Sequence, residues 1–444
     1  MKELQDTIKK RIERKQLTAL GYTSNLDIVY ELDTVIVNSL LVKYGISCGR
    51  IRQEPTFQPV SSEKEFLETL VYYCLNGLGG ERDISDVSLL NCFGEGQRAV
   101  GGTAAQAALV LSGTGCPSLV HLTDDSDEVR GRMNTETIYT VDSLGRAVHT
   151  GQVKSRVGQE PHFIIQYKKG DEIELEDKTY VIPTSNRLIL TKRGISELLP
   201  LSAKYFQYIE HHAICITSQV ISGFNCILDL AVLKRRLSDT AAHISRYRAG
   251  NPAGIVYMED AAYHDSVIRQ SCMEHILPLT DIFGMNEEEL ADNARGMYMD
   301  TEIKDIDSVV CFARAFRRKY GVRRGIVVHT ADYAVFVGDK GDIAIERGLY
   351  WGGLLATARA SVGRYPTLED VERVLALPIS EKGAEFAAAI SAGSYDDVQL
   401  IPTRYIDKPR FTIGLGDSFT AGMQICFGTE TNGEVSIRDN TVRV

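Results

Sequence analysis

Short apolar runs rich in β-branched residues alternate along most of the chain with segments whose apolar positions recur at helical spacing. The runs at 17–30, 118–122, 213–220, 254–258, 276–283, 325–328 and 333–337 read as strands, several of them bounded by Gly or Asn. Between them, 228–244 and 309–320 carry the helical pattern. Strand followed by helix, repeated, predicts an α/β fold with a mainly parallel sheet and helices on its faces.

Two stretches break this rhythm. From 145 to 191, the runs 162–168, 172–176 and 179–182 are joined by polar turns such as Lys169-Gly170-Asp171, which predicts an antiparallel meander. From 34 to 93, helical pieces and polar turns precede the Gly-rich segment 94–102. We expect these stretches, 34–93 and 145–191, to form a smaller β-rich lid inserted into a large domain made of 1–33, 94–144 and 192–444. No fixed-period repeat or low-complexity linker divides the chain further.

Composition limits the function classes. The 444 residues carry 49 Lys and Arg against 59 Asp and Glu, a formal charge of −10. That balance speaks against a nucleic-acid binder working through bulk positive charge. No apolar run approaches the ~18 residues of a membrane span, and the charged segment 1–16 lacks the apolar stretch of a secretory signal, so a cytoplasmic protein is expected. The nine cysteines are scattered without a C-x-x-C pair and read as reduced, mostly buried small hydrophobes. The basic clusters Arg317-Arg318-Lys319, Arg323-Arg324 and Lys234-Arg235-Arg236 read as solvated helix faces. Nothing in the sequence specifies an oligomeric state.

The chemistry concentrates in a few places. A β-like approach ends in Gly414-Leu415-Gly416-Asp417, and Phe419, Met423 and Cys426 then recur at helical spacing, which puts Asp417 at or near a helix N-terminus. Bare glycine backbone, free N–H groups and the positive end of the dipole suit an anion there, and an aspartate in the same loop is placed to take a proton from an attacking hydroxyl. An ordinary N-cap beside a tight turn satisfies the same four residues. The G-x-x-x-x-G-K-[ST] pattern is absent, so a kinase here is not of the P-loop type. Asn286 and Glu289 have the spacing of a capping box, while Glu289 and Glu259, with Asp260 beside it, are also carboxylates suited to the waters of Mg²⁺. Asn25 and Asp27 lie inside a strand-like run, where polar side chains need partners; together they suit vicinal hydroxyls of a sugar, and a simple turn after Gly21 accounts for them as well. Gly101-Gly102 offers bare backbone at the start of an Ala-rich helix, or a close helix–strand packing site.

Together these motifs resemble the ADP-dependent glucokinase and phosphofructokinase family of the ribokinase-like superfamily. The resemblance covers most of the chain. It rests on Asn25/Asp27, Gly101/Gly102, Asn186-Arg187-Leu188, Ser222-Gly223, the strand end Tyr257 to Ala261, Gly284-Met-Asn-Glu-Glu-Glu-Leu290, His329-Thr330-Ala-Asp332-Tyr333 and Gly414-Leu-Gly-Asp417. It implies a Rossmann-like, ribokinase-like large domain with a lid, and a glycolytic, Mg²⁺-dependent transfer of a phosphoryl group from ADP to glucose or fructose-6-phosphate. By position it makes Asp417 the general base, with Gly414 and Gly416 in the anion hole. Glu259 and Glu289 fall in the magnesium network, and Asn25, Asp27, Gly101 and Gly102 on the sugar. Arg187 falls on the nucleotide phosphates, and Leu415 and His329 are further candidates on the nucleotide.

The sequence departs from the family where Tyr257 replaces a histidine, and where Gly-Gly-Thr-Ala-Ala-Gln replaces Gly-Gly-Gln-Ala-Gly. In the family an acid on the lid separates glucose users from fructose-6-phosphate users; Glu81 is the candidate here, or else a solvated turn residue. An ATP-dependent ribokinase-like kinase of another sugar or nucleoside, and a non-catalytic sugar- or nucleotide-binding regulator, are the alternatives. Asp417, Glu259 and Glu289 together speak against the regulator.

Overall fold

The computed structural model describes residues 1–56, 59–154, 161–176, 178–192, 194–263, 265–393 and 395–428. Ten strands form one sheet, in the order Val398–Pro402, Tyr333–Gly338, Gly325–His329, Ile282–Asn286, Ile255–Glu259, Ile216–Ile221, Leu17–Leu20, Ser118–Val120, Ile138–Val141, Ala147–His149. The centre, from Gly325–His329 to Ile138–Val141, is parallel, and only the outer strands run antiparallel. The expected α/β architecture is therefore the observed one.

Burial explains why the central strands read as unbroken apolar runs. Val256 and Met258 pack into the core on one face, while Ile255 and Tyr257, their neighbours in the same strand, pack into the core on the other. Side chains alternate across a strand, so a strand buried on both faces has no polar side. All nine cysteines are free, four of them buried. No described helix is long and apolar enough to cross a membrane.

A second sheet has five strands in the order Gly80–Asp83, Asn186–Thr191, His162–Tyr167, Asn25–Glu31, Gln97–Gly101. Helices Thr34–Tyr44 and Glu63–Asn76 cover one face, packing Val37, Leu41, Phe66 and Leu70 against Phe163, Ile165, Leu188 and Leu190.

The sheets correct several expectations. The run at 17–30 is two strands in two sheets, because the chain leaves the large sheet after Leu20 and pairs again from Asn25. Asn25–Glu31 and Gln97–Gly101, expected in the large domain, belong to the small sheet, whereas Ala147–His149, expected in the lid, pairs at the edge of the large one. The three-stranded meander is not formed. Glu172–Leu175 and Lys178–Val181 make a separate hairpin, and His162–Tyr167 finds longer-range partners in Asn186–Thr191 and Asn25–Glu31. Within the expected lid, 57–58, 155–160 and 177 lie outside the described residues.

One helix pair anchors the loop of interest. Helix Leu415–Ile425 lies against helix Ile345–Val362, whose Gly348 and Gly352 leave no space for a Cβ beside Met423 and Phe419. Gly422 answers from the other side: a Cβ there would stand 2.6 Å from the Gly352 nitrogen and from the Trp351 carbonyl. Trp351 and the glycines around it thus lie in a helix interior, where the glycines allow close backbone approach. Gly422→Ala should destabilise the chain by about 1–3 kcal/mol through overpacking. Chemical denaturation checks this; unchanged stability would show that the crossing has slack.

Candidate active site

The small sheet places Asn25 and Asp27. Asn25 pairs across the antiparallel ladder with Gly101, and a Cβ on Gly101 would collide with the Asn25 amide and the Asp27 carboxylate. Gly102, at φ +87°, caps helix Thr103–Gly113 and passes so close to the Thr23 carbonyl that a Cβ would stand 2.6 Å away. Both glycines are therefore needed for close approach. The Asn25 side-chain N–H donates to Asp27 Oδ1, and the two side chains are only 4% and 3% exposed. Burial pushes the Asp27 pKa well above the carboxylate range, and the charges of Asp417 and Glu81 push it further, against the Asn25 hydrogen bond. Glu81, on strand Gly80–Asp83, is thus near enough for its charge to reach Asp27 and His162.

Gly414 is the N-cap of helix Leu415–Ile425, in the left-handed conformation at φ +69°, and no side chain caps this helix end. The first intrahelical bond is donated by the Ser418 N–H, so the N–H groups of Leu415, Gly416 and Asp417 have no intrahelical partner. Asp417 is thus not a cap. Burial raises its pKa to about 6; Glu259 adds to this, while a hydrogen bond with Thr103 and the cations Arg187 and Arg359 oppose it. Thr103 opens the helix that Gly102 caps, so the base candidate and the Asn25/Asp27 pair share one corner.

Glu259 ends strand Ile255–Glu259 and accepts through Oε1 from His329 Nε2 at 2.8 Å. Burial, the largest single effect, would lower the His329 pKa, but the charge and hydrogen bond of Glu259 together with the charges of Glu287 and Asp417 outweigh it and the net shift is upward, favouring the imidazolium. His329 stacks on Phe419 of the Asp417 helix at 4.6 Å. A Cβ on Gly416 would stand 3.4 Å from the His329 ring and 3.9 Å from Glu259 Oε1, so the metal-region candidates border the glycine loop.

The capping box is real: Asn286 Oδ1 accepts from the Glu288 and Glu289 N–H groups, and Glu289 Oε2 accepts from the Asn286 N–H at 2.9 Å. Burial, then the charges of Asp260 and Glu259, push the Glu289 pKa well above its ordinary value. Asp260 is tied to Arg269 at 2.7 Å and Asn293 at 2.8 Å, a structural anchor behind the site. Among the described residues, no three His, Cys, Asp or Glu side chains are arranged to hold a metal on their own. Glu259 Oε2, buried and without a hydrogen-bond partner, nevertheless fits a cation that takes one or two protein carboxylates and keeps water or phosphate as its other ligands.

Several contributors carry no sequence signal. Arg359, in the last turn of helix Ile345–Val362, is 4% exposed and lies between the rings of Tyr365 and Phe411, 4.2 and 4.7 Å from their centroids. Gln106 is buried with Oε1 unpartnered, and its side chain fills the space beside Gly414. The departure Gly-Gly-Thr-Ala-Ala-Gln therefore still delivers a glutamine to this corner, one helical turn later. Gln166 of the small sheet accepts from the Thr412 N–H at 3.1 Å, and Ile413 packs on Val29 and Ile164, so the approach to the glycine loop docks on the small sheet. Arg187 donates to Asn186 Oδ1 at 3.1 Å while its charge reaches Asp417. Leu415 is the first helical residue; its contribution is the backbone.

The conserved region described as ADP-specific Phosphofructokinase/Glucokinase matches residues 16–425. The ADP-specific phosphofructokinase of Pyrococcus furiosus is 22% identical over 441 residues, covering 90% of this chain and 94% of that protein. The ADP-dependent glucose/glucosamine kinase of the same organism is 22% identical over 440 residues, covering 93% and 94%. Among solved structures, an ADP-dependent kinase complex with fructose-6-phosphate and ADPbetaS superposes with a TM-score of 0.78 at 18% identity, covering 97% of this chain and 98% of that one.

The raised Asp417 pKa has a stability consequence. With a folded pKa of about 6 against ~3.9 unfolded, the folded chain holds a proton that the unfolded chain has lost, so stability falls as pH rises from about 4 to 6 and the loss is complete above 6. In the ligand-free chain, Asp417→Asn should raise Tm at pH 8 and leave it unchanged at pH 4, by thermal unfolding at both pH values. A lower Tm at pH 8 would show instead that the ionised carboxylate holds the fold together.

Proposed function

Since the chain belongs to the ADP-specific phosphofructokinase/glucokinase family, we propose that it moves the terminal phosphoryl group of ADP onto a hydroxyl of a hexose or hexose phosphate, leaving AMP. The observation that carries this reading is the meeting of Asp417, on an uncapped helix N-terminus, with the buried Asn25/Asp27 pair. Asn25 and Asp27 hold acceptor hydroxyls, and Gly101 and Gly102 let the sugar approach the backbone. Asp417 takes the proton of the attacking hydroxyl. The N–H groups of 415–417 receive charge developing on the phosphoryl group, with Arg187 beside the donor phosphates and His329 and Leu415 on the nucleotide side.

Glu259, with Glu289 behind it, would hold a divalent cation such as Mg²⁺, which when bound neutralises phosphate charge. The small sheet with its helices and hairpin, including Asn25–Glu31 and Gln97–Gly101, serves as the lid, and its closure excludes water that would otherwise accept the phosphoryl group. The charge of Glu81, which reaches Asp27, favours a neutral hexose, because a phosphate on the acceptor would be repelled by it.

A matrix of ADP and ATP against glucose, fructose-6-phosphate and a nucleoside, with and without Mg²⁺, tests the assignment by the AMP or ADP formed. Turnover is expected with ADP and Mg²⁺, fastest on glucose; turnover with ATP alone rejects the donor, and fructose-6-phosphate exceeding glucose rejects the role of Glu81. Asp417→Asn should lower kcat by roughly 10²–10⁴ while ADP still binds. Because the base works deprotonated, wild-type kcat/KM should fall as pH drops through about 6, the pKa of Asp417 in the free chain; a flat kcat/KM profile down to pH 4 removes Asp417 from that role.

A further inference from the structure

The opposite end of the large sheet holds the basic residues that the reaction leaves unused. Helix Ile306–Tyr320 ends there, and after the left-handed Gly321 the chain turns into strand Gly325–His329. His329 lies at the far end of this five-residue strand, roughly 13 Å from Gly325 by strand rise. At the amino end a cavity of about 710 Å³ is lined by Arg314, Arg317, Arg318, Arg323 and Asp397, with the backbone turn at Gly321. That volume falls within the ~300–1,000 Å³ of small-molecule sites. Four arginines against one aspartate leave the lining strongly positive, in a chain whose formal charge is −10.

The guanidinium groups are differently committed. Arg314 is held on Asp397, its Nε donating to Oδ2 at 3.0 Å. Arg317 is locked by the Val322 carbonyl at 3.2 Å and the Arg323 carbonyl at 2.8 Å, so its fork has one fixed orientation. Arg318 makes no ion pair among the described residues. Arg323 approaches Asp281 only to 3.6 Å, and that carboxylate already accepts from Arg248 at 2.8 Å. Basic residues in a last helical turn complement the helix dipole, which accounts for Arg317, Arg318 and Lys319 taken singly. The dipole does not account for Arg314, one turn earlier, and Arg323, beyond the cap, sharing one concavity with two of them.

We propose that this cavity is a second ligand site that binds a compact oxyanion carrying two or more negative charges, a phosphorylated small molecule or a polycarboxylate. Arg317 gives the cavity a fixed guanidinium, Arg314 on Asp397 walls it, and Arg318, with no ion pair among the described residues, and Arg323, in only a long contact with Asp281 Oδ1, are the groups that can close on the ligand. Planar guanidinium forks match phosphate and carboxylate oxygens in this way. The site is independent of the phosphoryl-transfer reading, since it shares no residue with it.

The test uses the wild-type full chain and phenylglyoxal, an arginine-modifying reagent, with modification of each arginine followed by peptide mass spectrometry. Inorganic tripolyphosphate and citrate are the two probes, and exposed Arg295, on helix Glu287–Gly296, is the internal control. At a probe concentration ten times its dissociation constant, Arg318 and Arg323 should react roughly tenfold more slowly while Arg295 keeps its rate. Protection by tripolyphosphate assigns the site to phosphates, and protection by citrate alone to carboxylates; either supports the proposal. Unchanged rates at Arg318 and Arg323 with both probes, or equal slowing of Arg295, would overturn it.

Discussion

Crowding of carboxyl groups is the constraint around which this site is built. Asp27, Asp417, Glu259 and Glu289 come from four separate segments, and the electrostatics couple them in a chain: Asp27 feels Asp417, Asp417 feels Glu259, and Glu289 feels Glu259. Burial raises three of them above the ordinary carboxylate range, and mutual repulsion adds to it. Nearby cations relieve only part of this: His329 engages one oxygen of Glu259 and leaves the other unpartnered, and Arg359 is spread between two rings. A site with unmet demands for protons, a cation and hydrogen-bond donors is poised for ligands that supply them, at a cost to the empty fold.

The glycines make that crowding sterically possible. Gly101 and Gly102 let two buried polar side chains lie over a strand, Gly284 leaves room for Tyr257 and Glu259, and Gly414 turns the chain into the uncapped helix. Further down, Gly348, Gly352 and Gly422 seat that helix on its neighbour, so Asp417 is held from below by backbone contact and from above by the docking of Thr412 on Gln166. The two ends of the sheet then differ in kind. The carboxyl ends of its strands carry acids and bare amides, and the amino end carries the arginine cavity.

What was legible in the sequence was local. The capping box at Asn286 and Glu289, a helix N-terminus within Gly414-Leu415-Gly416-Asp417, and the glycine pair before Thr103 depend on residues within a turn of one another, and each is observed. Sheet membership was not legible, because a run such as 17–30 has the same apolar pattern whether it stays in one sheet or crosses to another; the break after Leu20 is decided by partners far along the chain. The expected meander failed for the same reason, since long-range pairing outweighed the hairpin neighbours. Arg359 and Gln106 act only through tertiary placement. The basic clusters read as solvated faces because their convergence needs the turn at Gly321 to bring Arg323 back beside Arg317.

In the proposed reaction Asp417 would face the hydroxyl that Asn25 and Asp27 present, with the donor phosphoryl group on the 415–417 amides. A crystal structure of the ternary complex with a non-transferable ADP analogue and the acceptor measures it directly. The account predicts an Asp417 carboxylate oxygen within about 2.6–3.2 Å of the acceptor hydroxyl, on the side facing the donor phosphorus. An acceptor hydroxyl facing a different side chain, with Asp417 turned away, would contradict it.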